Sequence, residues 1–200
     1  RWSRWKQPRT DRPAIPVGPE TMERPVLKTS RLTLSPCRPG DRADFIALER
    51  DPEVMRFLNG GHPVDRAHAD PNATFLMPEG TEPDVWTARR APGGAFVGWF
   101  CLWPESGTLA ELGYRLRRAE WGQGLASEGA AALIDWGFST AGYETIVATT
   151  MAVNGASRRV MEKLGLRHTR TDHAEWPDPI PGCEHGEVWY EITRTQWSGR

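Results

Sequence analysis

The stretch that decides the fold is Glu111-Leu-Gly-Tyr-Arg-Leu-Arg-Arg-Ala-Glu-Trp-Gly-Gln-Gly-Leu-Ala-Ser-Glu-Gly-Ala130. Its first six residues alternate between apolar and other side chains, which predicts a strand over 111–116. From Ala126 onward, small and apolar residues recur at helical spacing. Gly122 and Gly124 stand between the two and permit backbone conformations that a side chain would block. The stretch therefore predicts a strand, a tight glycine-bearing loop and a helix.

The loop between this strand and this helix is a candidate phosphate-binding site. A helix N-terminus presents N–H groups that have no intrahelical partner, together with the positive end of the helix dipole, and both favour an anion. The alternative is a strand-to-helix turn that needs glycine for its geometry alone. The stretch by itself leaves both interpretations open.

The composition limits the class of protein. Two hundred residues suit one domain that is large enough to bury a core. The net charge is -1, so the chain as a whole lacks the charge signature of a protein that binds nucleic acid or an anionic membrane. No apolar run reaches the roughly 18 residues of a membrane span, and no signal-peptide pattern stands near the start. Cys37, Cys101 and Cys183 are widely spaced without a CxxC pattern, which argues against a disulfide framework and predicts a cytoplasmic location.

The chain divides into two parts of unlike composition. Residues 1–24 mix basic side chains with prolines and show no apolar periodicity, which predicts a disordered, basic, proline-rich arm. Residues 25–200 carry the periodic patterns and are predicted to form a single domain. Within it, the proline-containing segments 62–81 and 176–186 are predicted to be loops, the first with at most one short helix around 66–77. The segment 62–81 is a candidate substrate-binding loop, and the alternative is a connection of variable packing without that role.

The remaining periodic segments predict a meander of strands followed by alternating helices and strands. A hairpin signal at Ala91-Pro-Gly-Gly94 joins two of the early strands. This order indicates a mixed α/β (α+β) sheet with flanking helices. The predicted strands cover 27–36, 84–90, 95–103, 111–116, 146–153, 166–171 and 187–193, and the main helices cover 126–138 and 155–163.

Two motifs in the right order and spacing resemble the GNAT superfamily of N-acetyltransferases. They are Trp121-Gly-Gln-Gly-Leu-Ala-Ser-Glu128 and Asn154-Gly-Ala-Ser157-Arg-Arg-Val-Met-Glu-Lys-Leu-Gly165. The branch that looks closest contains the ribosomal-protein-alanine N-acetyltransferases, and the resemblance covers roughly residues 27–197. Further segments that fit this branch are Thr29-Ser-Arg-Leu-Thr-Leu34, Asp51-Pro-Glu-Val-Met55, Phe96-Val-Gly98 and Glu111-Leu-Gly-Tyr114.

The resemblance implies a GNAT-like twisted mixed sheet in which the parallel strands 111–116 and 146–153 splay apart to admit acetyl-CoA, the acetyl donor. It implies that pantetheine pairs with the open backbone edge near Leu116, and that the pyrophosphate lies on N–H groups of the glycine-bearing loop. Trp121 stands where the family usually has Gln or Arg, which removes one phosphate contact. The cofactor-binding residues that the resemblance implies are Leu116, Trp121, Gly122, Gln123, Gly124, Leu125, Ala126, Ser127, Asn154 and Ser157.

The resemblance also implies the catalytic groups for attack of an amine on a thioester. Glu111 is the predicted base, and a backbone N–H around Leu116 is the predicted oxyanion donor. Many family members have a tyrosine as acid seven residues after the motif asparagine, but Met161 occupies that position and cannot donate a proton. Ser157, one turn earlier, is the predicted substitute. The alternatives are that Glu111 is a strand-edge carboxylate that faces solvent or pairs with an arginine, that Ser157 bonds only to backbone, and that Asn154 acts only as a helix cap.

The predicted partner is a primary amine acceptor, either a protein N-terminus or a small molecule, and a homodimer is the assembly that the family suggests. A different class of function stays open, namely a CoA-binding regulatory or structural module without transferase activity. A dinucleotide-binding loop is disfavoured because the third glycine is missing and the loop follows antiparallel strands. No metal is predicted, because the spacing of His168, His173, Cys183 and His185 is irregular.

Overall fold

The computed structural model describes residues 24–58, 80, 82–173 and 179–199. The predicted N-terminal arm, apart from Arg24, and most of the predicted connection 62–81 lie outside the described residues, as do residues 174–178 of the later loop. In the described part of the chain no helix is long and apolar enough to cross a membrane.

Eight strands form one mixed sheet in the order β1-β2-β3-β4-β5-β6-β8-β7. All neighbouring pairs are antiparallel except β5 and β6, which are parallel. The strands are β1 Leu27–Lys28, β2 Leu32–Pro36, β3 Val85–Arg90, β4 Phe96–Ser106, β5 Leu109–Leu116, β6 Thr145–Met151, β7 Arg167–Asp172 and β8 Glu187–Thr193.

Among the described residues, five α-helices accompany the sheet, namely α1 Arg42–Glu49, α2 Pro52–Met55, α3 Leu125–Ser139, α4 Gly155–Lys163 and α5 Arg194–Ser198. The separate short helix α2 exists because Asp51 accepts a hydrogen bond from Glu53 N and proline occupies the first helical position. Helix α3 lies close to the sheet because Gly129 has no side chain, since a Cβ atom there would stand 2.4 Å from Phe100 Cζ.

Each face of the sheet is buried against a different pair of helices. Helices α3 and α4 cover one face, where a large core includes Phe100, Leu112, Leu133, Met161 and Tyr190. Helices α1 and α2 cover part of the opposite face, where a smaller core contains Phe45, Leu48, Val54, Val85, Phe96, Trp99, Cys101 and Trp103. We call these the helix-α3 face and the helix-α1 face.

The predicted mixed sheet with a parallel strand pair and flanking helices is confirmed. The helix predicted over 155–163 and the strand predicted over 187–193 have those bounds in the structure, whereas the single opening strand predicted over 27–36 is two strands separated by a turn. The alternation predicted for β5 is also confirmed, because Leu112 and Leu116 lie in the large core. On the opposite face of β5, Glu111 and Arg115 are also buried, because both faces of the sheet are covered.

Candidate active site

The parallel strands β5 and β6 separate part-way along their length. Their pairing runs only from Leu109 with Thr145 to Glu111 with Val147. Beyond this point β5 continues to Leu116 and β6 continues to Met151, while β6 remains paired with β8 on its other side. A gap therefore opens inside the sheet directly after Glu111, and it connects the two faces.

The backbone of β5 presents hydrogen-bonding groups to this gap. Arg117 N donates to Val97 O, so the neighbouring pair of Gly98 and Leu116 belongs to the alternate, non-bonded set of the antiparallel ladder. The N–H and C=O of Leu116 consequently point away from β4 and towards the gap. The indole Nε1 of Trp121 donates to Leu116 O at 2.9 Å. Trp121 thus lies at the open edge of β5, next to the residue that was predicted to pair with pantetheine.

The loop that follows β5 has the geometry of an anion site. Gly122 and Gly124 have φ angles of +73° and +77°, in the left-handed region that favours glycine. Gly124 is the N-cap of α3, and no side chain caps the first turn. The first-turn residues of α3 are Leu125, Ala126 and Ser127. The N–H groups of this turn are therefore suited to a phosphate, as predicted for this stretch.

Positive side chains surround this loop. Arg31 Nη1 donates to Gln123 O at 2.8 Å, and Arg31 also pairs with Glu128 at 2.6 Å. A Cβ atom on Gly124 would stand 3.6 Å from Arg31 Nη2 and 4.0 Å from Lys163 Nζ. Although burial opposes ionisation, hydrogen bonds led by Thr29 and Arg31 hold the pKa of Glu128 below its usual range. The carboxylate therefore stays charged and keeps the Arg31 guanidinium at the helix start.

The side chain of Gln123 is engaged within the protein. Its Nε2 donates to Ala119 O at 2.9 Å, and its Oε1 accepts from the guanidinium of Arg90. These contacts hold the loop between β5 and α3 in one conformation. Gln123, which is predicted to bind the cofactor, can therefore offer a ligand its backbone rather than its side chain.

On the helix-α3 face, the first turn of α4 brings a second group of side chains to the gap. Asn154 Oδ1 accepts from Ser157 N at 3.2 Å, and its Nδ2 donates to Thr150 Oγ1 at 3.0 Å. The cap role considered for Asn154 is therefore present. Ser157 is half-buried, and its Oγ lies 3.0 Å from the hydroxyl of Tyr114 on β5. Met161, in contrast, is buried in the core at 2% exposure.

On the helix-α1 face, the buried carboxylate of Glu111 and the half-buried carboxylate of Glu187 lie beside the beginning of the gap. Glu111 is 4% exposed, so the alternative that it faces solvent is wrong. Thr149 Oγ1 donates to Glu111 Oε1 at 3.2 Å. Glu187, on the neighbouring strand β8, also forms a hydrogen bond with Thr149. Burial and then the charge of Glu111 raise the pKa of Glu187 to about 7, while its bond with Thr149 acts in the opposite direction.

On β4, the neighbours of Glu111 on the helix-α1 face are apolar. Trp103 is its register partner on β4, and Cys101 lies two residues before Trp103 on the same face. Burial, and to a smaller extent the Glu111 charge, raises the pKa of the Cys101 thiol well above its usual range. The thiol is therefore neutral. This low-polarity setting strengthens any electrostatic interaction that the carboxylates make.

The structure brings most of the predicted site residues to one gap and adds others that sequence reasoning missed. Glu111 and Ser157 lie on opposite faces of the sheet, and the gap between β5 and β6 connects them. The missed residues are Tyr114, Glu187, Arg31 and Lys163. Tyr114 packs against the large core, where its position in the strand pattern indicates a core residue. Arg31 and Lys163 lie within the quoted segments but outside their glycines, and Glu187 lies far from both motifs in sequence. Among the described residues, no group of three side chains of the metal-binding types could hold a metal ion.

Comparisons with known proteins agree with this arrangement. A family model described as an acetyltransferase (GNAT) domain matches residues 31–167. The chain is 37% identical over 183 residues to the FsC-acetyl coenzyme A-N(2)-transacetylase of Aspergillus fumigatus, and the match covers 86% of this chain and 78% of that protein. It is also 32% identical over 158 residues to the uncharacterized protein YkkB of Bacillus subtilis, covering 77% of this chain and 91% of that protein.

Solved structures show the same fold at lower sequence identity. An acetyltransferase of the GNAT family from Bacillus anthracis has a TM-score of 0.72 at 22% identity, covering 86% of this chain and 99% of that one. A spermidine N-acetyltransferase from Vibrio cholerae, solved in complex with CoA and spermine, has a TM-score of 0.67 at 15% identity, covering 85% and 99%. The chain therefore belongs to the GNAT acetyltransferase family and is an acyltransferase that takes its acetyl group from acetyl-CoA.

Proposed function

We propose that this acyltransferase moves the acetyl group to a primary amine by direct attack of the nitrogen on the thioester. The observation that carries the proposal is the gap that opens after Glu111, with the carboxylates of Glu111 and Glu187 on one face and Ser157 on the other. A gap of this kind lets an amine on the helix-α1 face meet a thioester that lies between β5 and β6. The nitrogen forms a bond to the carbonyl carbon, the C–S bond breaks, and the thiolate leaves.

The carboxylates supply the base in this proposal. An amine that arrives as an ammonium must lose a proton before it can attack. Glu111 accepts that proton, either directly or through Thr149, whose hydroxyl contacts both Glu111 and Glu187. A second carboxylate with a pKa of about 7 can hold the proton at neutral pH. The two negative groups also favour a cationic acceptor over a neutral or anionic one.

The backbone and the loop supply the remaining parts. The Leu116 N–H points to the gap and serves as the oxyanion donor. The loop from Gly122 to Gly124 and the first turn of α3 through Ser127 hold the pyrophosphate through their N–H groups, with Arg31 and Lys163 adding positive charge. Trp121, whose own backbone N–H donates to Arg118 O, lies beside the ligand at the start of this loop. Ser157, held by Asn154, donates to the departing sulfur. These residues bind and orient acetyl-CoA, whereas the carboxylates act on the amine.

For the acceptor, we propose a small-molecule amine. The support is the relative from Aspergillus fumigatus, whose name describes transfer from acetyl coenzyme A to an N(2) nitrogen. The resemblance to ribosomal-protein-alanine N-acetyltransferases makes a protein N-terminus the second acceptor class. A cytoplasmic location, a homodimer, and the absence of nucleic-acid and membrane partners remain proposals that follow from composition and family.

The first test is the variant Glu111→Gln. Loss of the base predicts a fall of at least about 100-fold in kcat for thiol release across a panel of small amines and peptide N-termini. Binding of acetyl-CoA should be unchanged, because the phosphate loop is intact. The matched control is Glu191→Gln, which changes a half-buried carboxylate four residues from Glu187 on the same strand and should retain turnover.

Binding is measured by the change in thermal midpoint with excess acetyl-CoA. A ligand at about 100 times its dissociation constant stabilises the fold by roughly 2.7 kcal/mol, which is several degrees. If the wild-type chain binds acetyl-CoA but none of the amines in the panel causes thiol release, the alternative of a CoA-binding module is supported. An unchanged kcat in Glu111→Gln would contradict the base role.

A further inference from the structure

The hydroxyl of Tyr114 reaches from the sheet to the first turn of α4. Its oxygen lies 3.0 Å from Ser157 Oγ, where either hydroxyl can be the donor, and its O–H also has the carbonyl oxygen of Ser157 as an acceptor at 3.3 Å. The two residues are 43 positions apart in the chain. They come together because Tyr114 lies on β5 and Ser157 lies on α4, the helix that follows β6. The contact therefore links β5 to the helix connected to the strand on the other side of the gap.

The ring of Tyr114 and its hydroxyl have separate surroundings. The ring packs against Phe100 with 6.1 Å between centroids, which accounts for the apolar part of the side chain. The hydroxyl extends beyond this contact to Ser157. Burial raises the pKa of Tyr114 to about 12, although the bond with Ser157 acts in the opposite direction. The phenol is therefore a protonated donor throughout the neutral range.

A tyrosine from β5 can have this role because α4 itself contains no tyrosine. The side chain at position 161 is a methionine buried in the core, which neither reaches the gap nor donates a hydrogen bond. Ser157 alone has one proton and several acceptors nearby, including the backbone of its own helix. A neighbouring donor that occupies the serine oxygen decides in which direction the serine proton points.

We propose that Tyr114 is a positioning residue for the acetyl transfer: its phenol donates to Ser157 Oγ and thereby directs the Ser157 hydroxyl proton to the thioester sulfur. This inference rests on the proposed function. When the C–S bond breaks, its electron pair moves to sulfur, and the Ser157 hydrogen bond stabilises the charge. Both hydroxyls keep their protons, and the sulfur takes the second proton that the amine nitrogen loses.

The test is a double-mutant cycle of Tyr114→Phe and Ser157→Ala, assayed by thiol release with acetyl-CoA and an amine that the wild type accepts. Tyr114→Phe keeps the ring and should lower kcat about 10-fold, with the KM for acetyl-CoA nearly unchanged. The double variant should be no slower than Ser157→Ala, because the two side chains act as one unit. Tyr190→Phe is the matched control, since this buried tyrosine bonds Arg158 and Glu162 of α4 instead.

The outcomes separate two failures. Two outcomes would contradict the positioning role but leave the proposed function intact. One is that the wild type turns over and Tyr114→Phe has the same kcat. The other is that the losses of the two single variants multiply in the double variant. A loss in Tyr190→Phe equal to that in Tyr114→Phe would show that any buried phenol at α4 has this effect, and would also contradict it. Absence of thiol release by the wild type with every amine would overturn the proposed function, and the inference with it. The thermal midpoint of each variant is measured to test whether a loss of activity comes from loss of folding.

Discussion

At the scale of single residues, Glu187 shows how a strand position acquires chemistry from its neighbours. Glu187 lies diagonal to Thr149 across the β6–β8 ladder, and Glu111 lies beyond Thr149 on β5. Asp172 on β7 is its register partner on the other side and adds further negative charge. Burial and these charges disfavour the ionised form of Glu187, so its proton is retained to a higher pH in the folded chain than in the unfolded one.

The variant Glu187→Gln tests this through stability. The pKa of Glu187 rises from 4.5 to about 7 on folding, so between these values the folded state binds a proton that the unfolded state has lost. Stability from this group is complete below pH 4.5 and is lost as the pH rises through 7. Glutamine does not ionise, so a variant with glutamine at this position does not lose this stability as the pH rises. We therefore expect the free energy of unfolding of Glu187→Gln to exceed that of the wild type at pH 8 by on the order of 2 kcal/mol, with a higher thermal midpoint. At pH 4 the two proteins should have equal midpoints.

Thermal unfolding from pH 4 to pH 8 measures this difference, with Glu191→Gln on the same strand as the control. A constant difference across the pH range would contradict the assignment to Glu187. In the activity assay, an enzyme group that titrates near 7 gives a limb of the kcat/KM profile that keeps its position when the pKa of the amine is changed. Glu187→Gln should remove that limb.

At the scale of elements, α4 connects local folding to the site. Asn154 ends the turn after β6 and caps the helix through Ser157 N, and Gly165 ends the helix with a φ of +80°. The residue that begins the helix therefore also sets the position of the serine. Cap and site share one hydrogen bond, so the stability of the helix and the orientation of Ser157 are coupled.

Asn154→Ala should reduce both. Loss of the cap costs about 0.5–2 kcal/mol of folding free energy, and the freed first turn should also lower kcat because Ser157 is no longer held. Thr193→Ala removes a comparable cap, the bond to Gln196 N at the start of α5, away from the gap. Thermal unfolding and thiol release are measured for both variants. If the two variants lose equal stability and both keep full kcat, the cap has no part in the site.

At the scale of the whole molecule, the site depends on how the helix-α1 face is held to the sheet. Glu49 at the end of α1 pairs with Arg115 on β5, with 0% and 5% of their side chains exposed. Arg115 also lies over the ring of Trp99 at 5.0 Å. Because Arg115 and Glu111 occupy the same face of the same strand, this buried pair fixes α1 beside the proposed amine site.

Glu49→Gln should destabilise the fold strongly, since it leaves the Arg115 charge buried with less compensation. The expected cost is about 3–5 kcal/mol, which lowers the thermal midpoint by roughly 6–15 °C for a chain of this size. The double variant Glu49→Leu/Arg115→Met removes both charges and should recover most of the loss. A double variant as unstable as Glu49→Gln would show that shape rather than charge dominates at this position.

Much of the fold and part of the site could be predicted from local patterns. The bounds of α4, the cap at Asn154, the glycine-bearing turn at Gly122 and Gly124, and the alternation along β5 all depend on residues within about four positions of one another. The mixed sheet then follows from the order of the elements. Glu111 and Ser157 became candidates through their motifs, and their catalytic roles stay predictions.

Other features depend on strand register, which no local pattern contains. The gap opens because pairing between β5 and β6 ends at Glu111 and Val147, and this decides that the carboxylates and Ser157 meet through the sheet. Tyr114 contacts Ser157 across 43 residues. The pKa of Glu187 is raised first by burial and then by the charge of Glu111, which is 76 positions away along the chain (187 minus 111). The sequence alone determined which elements form, and it predicts a phosphate site at the glycine-bearing loop, because hydrogen bonding within elements and periodicity are local. Only the tertiary structure decided which side chains face one another, because long-range contacts are set by how the strands pair and which faces the helices cover.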